Sequence, residues 1–175
     1  MTASSSVSSS NTRSSDRPVA ITVFVDADAC PVKREVYRVA RRYDLRVVVV
    51  SNSWMRIPPG SWVSLEVVEQ GEDVADDLIA DSVSRDDIVI TGDIPLARRC
   101  IDAGALVLGL RGRPFTAENI CAALATRDLL AGLREDGVME GGGPPPFGKA
   151  DRSRFLQAMD EMVNAVRAGR TGRYR

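Results

Sequence analysis

The chain has 175 residues, 44% of them hydrophobic, with 23 Lys and Arg against 24 Asp and Glu, three cysteines and no histidine. That length and apolar fraction suit one domain around a single core, and the formal net charge of -1 excludes a global basic field, so any nucleic-acid contact must use local patches. Without histidine, hydrolases built on a Ser-His or Cys-His pair are excluded.

Residues 1–18 are serine-rich and nearly free of large apolar groups, a composition that cannot repay the entropy of ordering, so a disordered tail is expected. It has no apolar h-region, and no later run approaches the ~18 apolar residues of a membrane span. Cys30, Cys100 and Cys121 are far apart and form no C-x-x-C pair, which argues against a disulfide framework and a zinc site and fits a reducing cytoplasm. The domain is expected over 19–168, followed by a short basic tail, 169–175, expected to fray.

From Ile21 the pattern alternates. ITVFVD is a compact β-branched run, PVKREVYRVARRYD has helical spacing with a proline suited to the first helical position, and LRVVVVS is a second strand. NSWMRIPPG reads as a loop, WVSLEVVEQ as a third strand, and Gly71 as a break before an acidic helix. DDIVITGD is a fourth strand, IPLARRCIDAG a helix closed by Gly104, and ALVLGL a fifth strand. Two more helices are expected, from Thr116 to Leu133 and from about Asp151 to Arg167, separated by a glycine- and proline-rich loop that cannot continue a helix. This alternation predicts an α/β domain of three layers: a mainly parallel central sheet of about five strands with helices on both faces. Ligands of such sheets lie beyond the carboxyl ends of the strands.

Acidic residues cluster where those ends should be. Asp26 and Asp28 close the first strand, Asp73, Asp76, Asp77 and Asp81 share one face of the acidic helix, and Asp93 follows the fourth strand. Each has an ordinary alternative: a turn pair, a solvated face, a helix cap. Yet like-charge pairs at helical spacing cost roughly 0.2–0.5 kcal/mol each, and no Lys or Arg intersperses them between Gly71 and Ser84. Asp73 is therefore expected to face a pocket and Asp81 to remain surface. Converging carboxylates repel unless a cation lies between them, and an oxygen-only ligand set selects a hard ion, Mg²⁺ or Mn²⁺.

The order D-x-D-x-C-P-V-K, G-x-D-x-A-D, T-G-D-I-P-L-A and G-G-P-x-P-F with a later D-R-x-x-F resembles the YaiI/YqxD family of bacterial proteins over about Ile21 to Val166. That family is similar to the PIN-like and NYN-type nucleases, which hold metal on aspartates and cleave RNA or flap-like nucleic acids. The resemblance implies a PIN-like fold and a nuclease acting on RNA in preference to DNA, with Asp26, Asp73 and Asp93 as catalytic metal-binding acids and Asp28 and Asp77 as further ligands. It departs from the NYN pattern at Pro95, where a second acid commonly follows the Gly-Asp aspartate.

Such a site would activate water and neutralise charge on the scissile phosphate without a protein nucleophile. Substrate contacts are expected from Lys33, Arg34, Ser51, Asn52, Arg111, Arg113, Lys149 and Arg152, although solvated charge and turn roles explain the same residues. The Gly142–Phe147 stretch suits either a fold-back over the active face or a clasp anchored by Phe147. Two other classes compete. A haloacid-dehalogenase phosphatase would use Asp26 as nucleophile and Asp28 as acid, but the chain lacks the lysine between its motifs and has Ala97 where the last acid belongs. A non-catalytic nucleic-acid-binding module would account for Pro95. Cys30 is expected to be a packed thiol, and Trp54 and Trp62 to be packing residues.

Overall fold

The computed structural model describes residues 20–69, 71, 73–135 and 146–175. The serine-rich tail and Gly142, Gly143 and Pro144 of the loop lie outside the described residues. Five parallel strands form the sheet: β1 (Thr22–Asp26), β2 (Arg46–Ser51), β3 (Val63–Val67), β4 (Ile88–Ile90) and β5 (Leu106–Leu108). A sixth strand, β6 (Pro114–Phe115), pairs antiparallel with β5 and was not expected from the sequence. Two residues are too short to show a period of two, so only the pairing reveals it.

The strands are near-continuous runs of Val, Ile and Leu because both faces of the sheet are covered. Val23, Val25, Val47, Val49, Ile88 and Ile90 pack into one core with α1 (Lys33–Tyr43) and α5 (Lys149–Arg167). The intervening Phe24, Val50, Val89 and Val107 pack into a second core with α2 (Val74–Ser82), α3 (Ile94–Asp102) and α4 (Ala117–Glu135). The result is a three-layer α/β domain.

The helix ends follow local rules. Asp93 caps α3, its Oδ1 accepting the Leu96 N–H at 2.8 Å, with Pro95 in the first turn. Gly104 turns the chain after α3 at φ +89°. Pro31 does not open α1, which begins two residues later at Lys33. Polar contacts fasten α1 to α5: Tyr43 Oη donates to Asp160 Oδ1 at 2.7 Å, and Arg152 pairs with Glu35 at 3.1 Å.

The C-terminal tail corrects an expectation. It does not fray: Gly172–Tyr174 forms a 3-10 turn, Tyr174 is buried in the α1/α5 core, and Arg175 pairs with Asp86 and the carbonyl of Gly104. An apolar ring seven residues past the last long helix carries no periodic signal, so burial of Tyr174 is visible only in three dimensions.

Candidate functional site

The strand order is β3-β2-β1-β4-β5-β6. From β1 the chain builds outward to β2 and β3, then returns to place β4 on the opposite side. The order therefore reverses between β1 and β4, and a crevice opens beyond their carboxyl ends, the usual ligand position in open α/β sheets.

Asp26, Asp76 and Asp93 line that crevice together with Ala29, Gly92 and Leu110, around a cavity of about 320 Å³. Three elements supply the carboxylates: the end of β1, the first turn of α2 and the N-cap of α3. Burial pushes the Asp76 carboxyl up to about 6, with Asp93, Asp26 and Asp73 adding repulsion and Arg99 opposing it. Asp26 is also raised, first by burial and then by Asp28 and Asp93, against a hydrogen bond from Thr91 and the charge of Lys33.

Thr91 organises this region. Its buried hydroxyl donates to Asp26 Oδ2 at 2.8 Å and accepts the Asp93 N–H at 2.9 Å, linking the ends of β1 and β4. Thr91→Val keeps the shape but removes both bonds, so it is expected to destabilise the protein by about 1–3 kcal/mol and raise the Asp26 pKa further, whereas Thr91→Ser retains the link. Urea denaturation and carboxyl-carbon NMR titration of the two variants check this.

The other expected site residues are distributed differently. Asp73 is exposed in the left-handed conformation at the N-cap of α2, near enough to Asp76 to repel it. Asp77 pairs with Arg99 of α3 at 2.7 Å, so the cation missing from the sequence around the acidic helix comes from another helix. β1 ends at Asp26, and Asp28, two residues on, turns to β2, accepting from Ser51 Oγ at 2.6 Å and from the Asn52 N–H at 3.0 Å. Ser51 is buried, and the Asn52 Oδ1 is buried with no hydrogen-bond partner among the described residues.

Among the expected phosphate contacts, Lys33 Nζ donates to the Ala27 carbonyl at 2.7 Å and helps shape the loop after β1. Arg111 pairs with the buried Asp151 at 3.0 Å, Arg152 pairs with Glu35, and both guanidinium groups lie over the Phe147 ring. Asp151 also accepts the Gly148 N–H at 2.9 Å and pairs with Arg154; these contacts, the backbone bond first, hold its carboxyl below the ordinary range. The described end of the glycine and proline loop is thus a clasp. Arg34, Arg113 and Lys149 are exposed.

Cys30 is buried and its thiol is pushed up to about 11 by burial, so it packs rather than reacts. Trp62 packs edge-on against Tyr37 at 5.9 Å, but Trp54 is 77% exposed in the loop after β2, which corrects its expected packing role. Reading the sequence passed over Asp76 and Thr91 as site residues. Asp76 was visible only as one of several acids on a helix, and Thr91 only as the first letter of T-G-D.

The family model described as "Uncharacterized BCR, YaiI/YqxD family" matches residues 24–165. The chain belongs to the YaiI/YqxD family. It is 54% identical over 145 residues to UPF0178 protein amb2838 of Paramagnetospirillum magneticum, covering 83% of this chain and 95% of that protein. It is 54% identical over 151 residues to UPF0178 protein RC1_2062 of Rhodospirillum centenum, covering 85% and 98%. A UPF0178 protein of Azorhizobium caulinodans is 52% identical over 158 residues, covering 90% and 99%. No solved structure matches the chain.

Among the described residues, no group of three or more Cys, Asp or Glu side chains is already gathered tightly enough to hold a metal ion. The donor chemistry still fits Mg²⁺ or Mn²⁺: the crevice offers carboxylate oxygens only, and Mg²⁺ characteristically keeps several waters and uses one or two carboxylates with substrate phosphate rather than a closed protein cage. No helix among the described residues is long and apolar enough to cross a membrane.

Proposed function

We propose that this member of the YaiI/YqxD family is a divalent-cation-dependent phosphodiesterase of PIN-like type that hydrolyses nucleic acid, RNA in preference to DNA. The observation that carries the reading is the meeting of Asp26, Asp76 and Asp93 at the crevice between β1 and β4, with Asp76 raised to about 6 by burial and by its acidic neighbours. Three carboxylates line this ligand-binding position with no salt-bridged lysine or arginine among the described residues, an arrangement that favours a cation.

Thr91 holds Asp26 by Oδ2, leaving Oδ1 with no hydrogen-bond partner among the described residues. Asp93 is held by its capping bond through Oδ1. These two acids would anchor Mg²⁺ or Mn²⁺ at the ends of adjacent strands, Asp76 completing the set from α2. When bound, the ion lowers the pKa of water and offsets charge on the phosphate. Asp76, whose carboxyl is raised to about 6 in the cation-free protein, would ionise as the cation binds and so join Asp26 and Asp93 in holding it and orienting the water it activates. Asp28, tied to the end of β2, is a positioning residue in this scheme, and Asp77 stays with Arg99.

The test is calorimetry with Mn²⁺ and Mg²⁺ alongside a cleavage assay on pooled RNA and single-stranded DNA. Cleavage is expected to fall roughly 10²- to 10³-fold in Asp26→Asn and Asp93→Asn, together with cation affinity. A wild-type protein that binds neither ion at millimolar concentration overturns the reading.

Trp54 supplies a further check. It stands in the loop after β2, whose end is the in-register neighbour of Asp26 on β1. Trp54→Ala is expected to change stability by no more than about 0.5 kcal/mol but to weaken single-stranded nucleic-acid binding by about 1–3 kcal/mol through the loss of one stacked base. Fluorescence quenching of Trp54 by added oligonucleotide, measured against its thermal melt, separates the two.

A further inference from the structure

A second cavity, of about 770 Å³, adjoins the acidic crevice and shares Gly92 and Asp93 with it. It runs between the start of α3, β6 and one side of α4. Its apolar surface comes from Ile94, Phe115, Ala123 and Leu130. Arg113 and Arg127 stand on its walls. Arg113 is exposed and its side chain makes no hydrogen bond or ion pair among the described residues. Arg127 is engaged only by its exposed neighbour Asp128 at 3.5 Å, a surface pair that holds the guanidinium weakly.

We propose that this groove binds the unpaired nucleotide next to the scissile phosphate, its base on the apolar floor and its flanking phosphates on Arg113 and Arg127. The inference rests on the phosphodiesterase reading for the role of the crevice, but the groove's own features select the ligand. The guanidinium of Arg113 and that of Arg127, which is held only by the exposed Asp128, match anionic phosphates, and the carboxylate of Asp93 at the far end marks where an unscreened phosphate would be repelled and a cation-bridged one accepted. The floor is mainly apolar, with Asn119 and Thr126 as polar groups at its side, and among nucleic-acid ligands an unpaired base offers a flat face to it, whereas a duplex buries those faces in its own stack. The volume lies in the range of small-ligand sites. Arg113 was already expected to contact phosphate; Arg127 and the floor residues are new.

The experiment measures binding without catalysis. Anisotropy of a fluorescein-labelled ten-nucleotide single-stranded RNA, its DNA equivalent and an RNA duplex is followed in EDTA across a salt series, using the full chain. The Arg113→Gln/Arg127→Gln double variant is expected to lower the slope of log affinity against log salt by about 1.4, two contacts at about 0.7 each for a single strand. Ala123→Trp, which fills the floor, is expected to weaken single-strand binding roughly 5- to 150-fold while leaving duplex binding unchanged, with the thermal melts of all variants checking the fold. Wild-type affinity and salt slope in the double variant overturn the inference, as does a failure of the wild type to bind the single strand. If Asp26→Asn loses cleavage while the double variant binds and cleaves normally, the groove falls and the phosphodiesterase reading stands. If the groove variants weaken binding but the wild type never cleaves, the groove stands and that reading falls.

Discussion

Asp76→Asn is expected to stabilise the cation-free protein by about 1 kcal/mol at pH 7.5, a rise in melting temperature of roughly 2–4 °C for a chain of this size. The direction follows from the shift. Burial, then Asp93, Asp26 and Asp73, raise the folded pKa of Asp76 from 3.8 to about 6, so between those values the folded state binds more protons than the unfolded state. Stability is therefore lost as pH rises through that window, and above it the ionised group opposes folding. The gain from asparagine should have shrunk to a small remainder by pH 4, where the folded group is protonated and the unfolded one partly so. Added Mn²⁺ reverses the ranking: at about 100 times its dissociation constant it stabilises the wild type by about 2.7 kcal/mol, and Asp76→Asn is expected to lose most of that. Thermal melts at pH 4, 6 and 7.5, each with EDTA and with Mn²⁺, provide the measurement. A variant no more stable than wild type at pH 7.5 in EDTA would mean that neither burial nor repulsion penalises the Asp76 carboxylate in the crevice.

Phe155→Ala is expected to cost about 3–5 kcal/mol, the combined loss of burial and the creation of a cavity, lowering the melting temperature by roughly 6–20 °C. Phe155 is 0% exposed and lies on α5 in the core shared with α1 and the sheet. Because the loop carrying Asp28 joins β1 to α1, loosening α5 should also weaken the support of the crevice. Leu129→Ala, at a position 64% exposed on α4, serves as the comparison and should change stability by no more than about 0.5 kcal/mol. Urea denaturation of both variants tests the contrast; equal effects would mean that α5 is not part of the core.

The sheet's parallel strands were legible because each is a short β-branched run between helical periods, a pattern that survives in any tertiary context. Asp93 was legible as a cap because the Gly-Asp turn precedes Pro95 and the apolar spacing of α3. The acidic helix was legible only in part. The choice of Asp73 over Asp76 as the residue facing the pocket depended on where α2 begins and how it is rotated, and the partner of Asp77 is Arg99, 22 residues away. Trp54 and Trp62 flank the same loop, yet Trp54 is exposed while Trp62 is half-buried against Tyr37.

By itself the sequence determined the alternation of strands and helices, the layer architecture, the absence of histidine chemistry and the excess of carboxylates at strand ends, because periodicity, turn residues and composition act over a few neighbours. The tertiary structure decided which carboxylates meet. That choice rests on β4 lying beside β1, where Thr91 bonds Asp26 across 65 residues of chain, and on α2 turning Asp76 into the crevice while α3 supplies Arg99 to Asp77. Strand order and helix rotation are set by packing two cores against one sheet, a global balance that no short stretch of sequence carries.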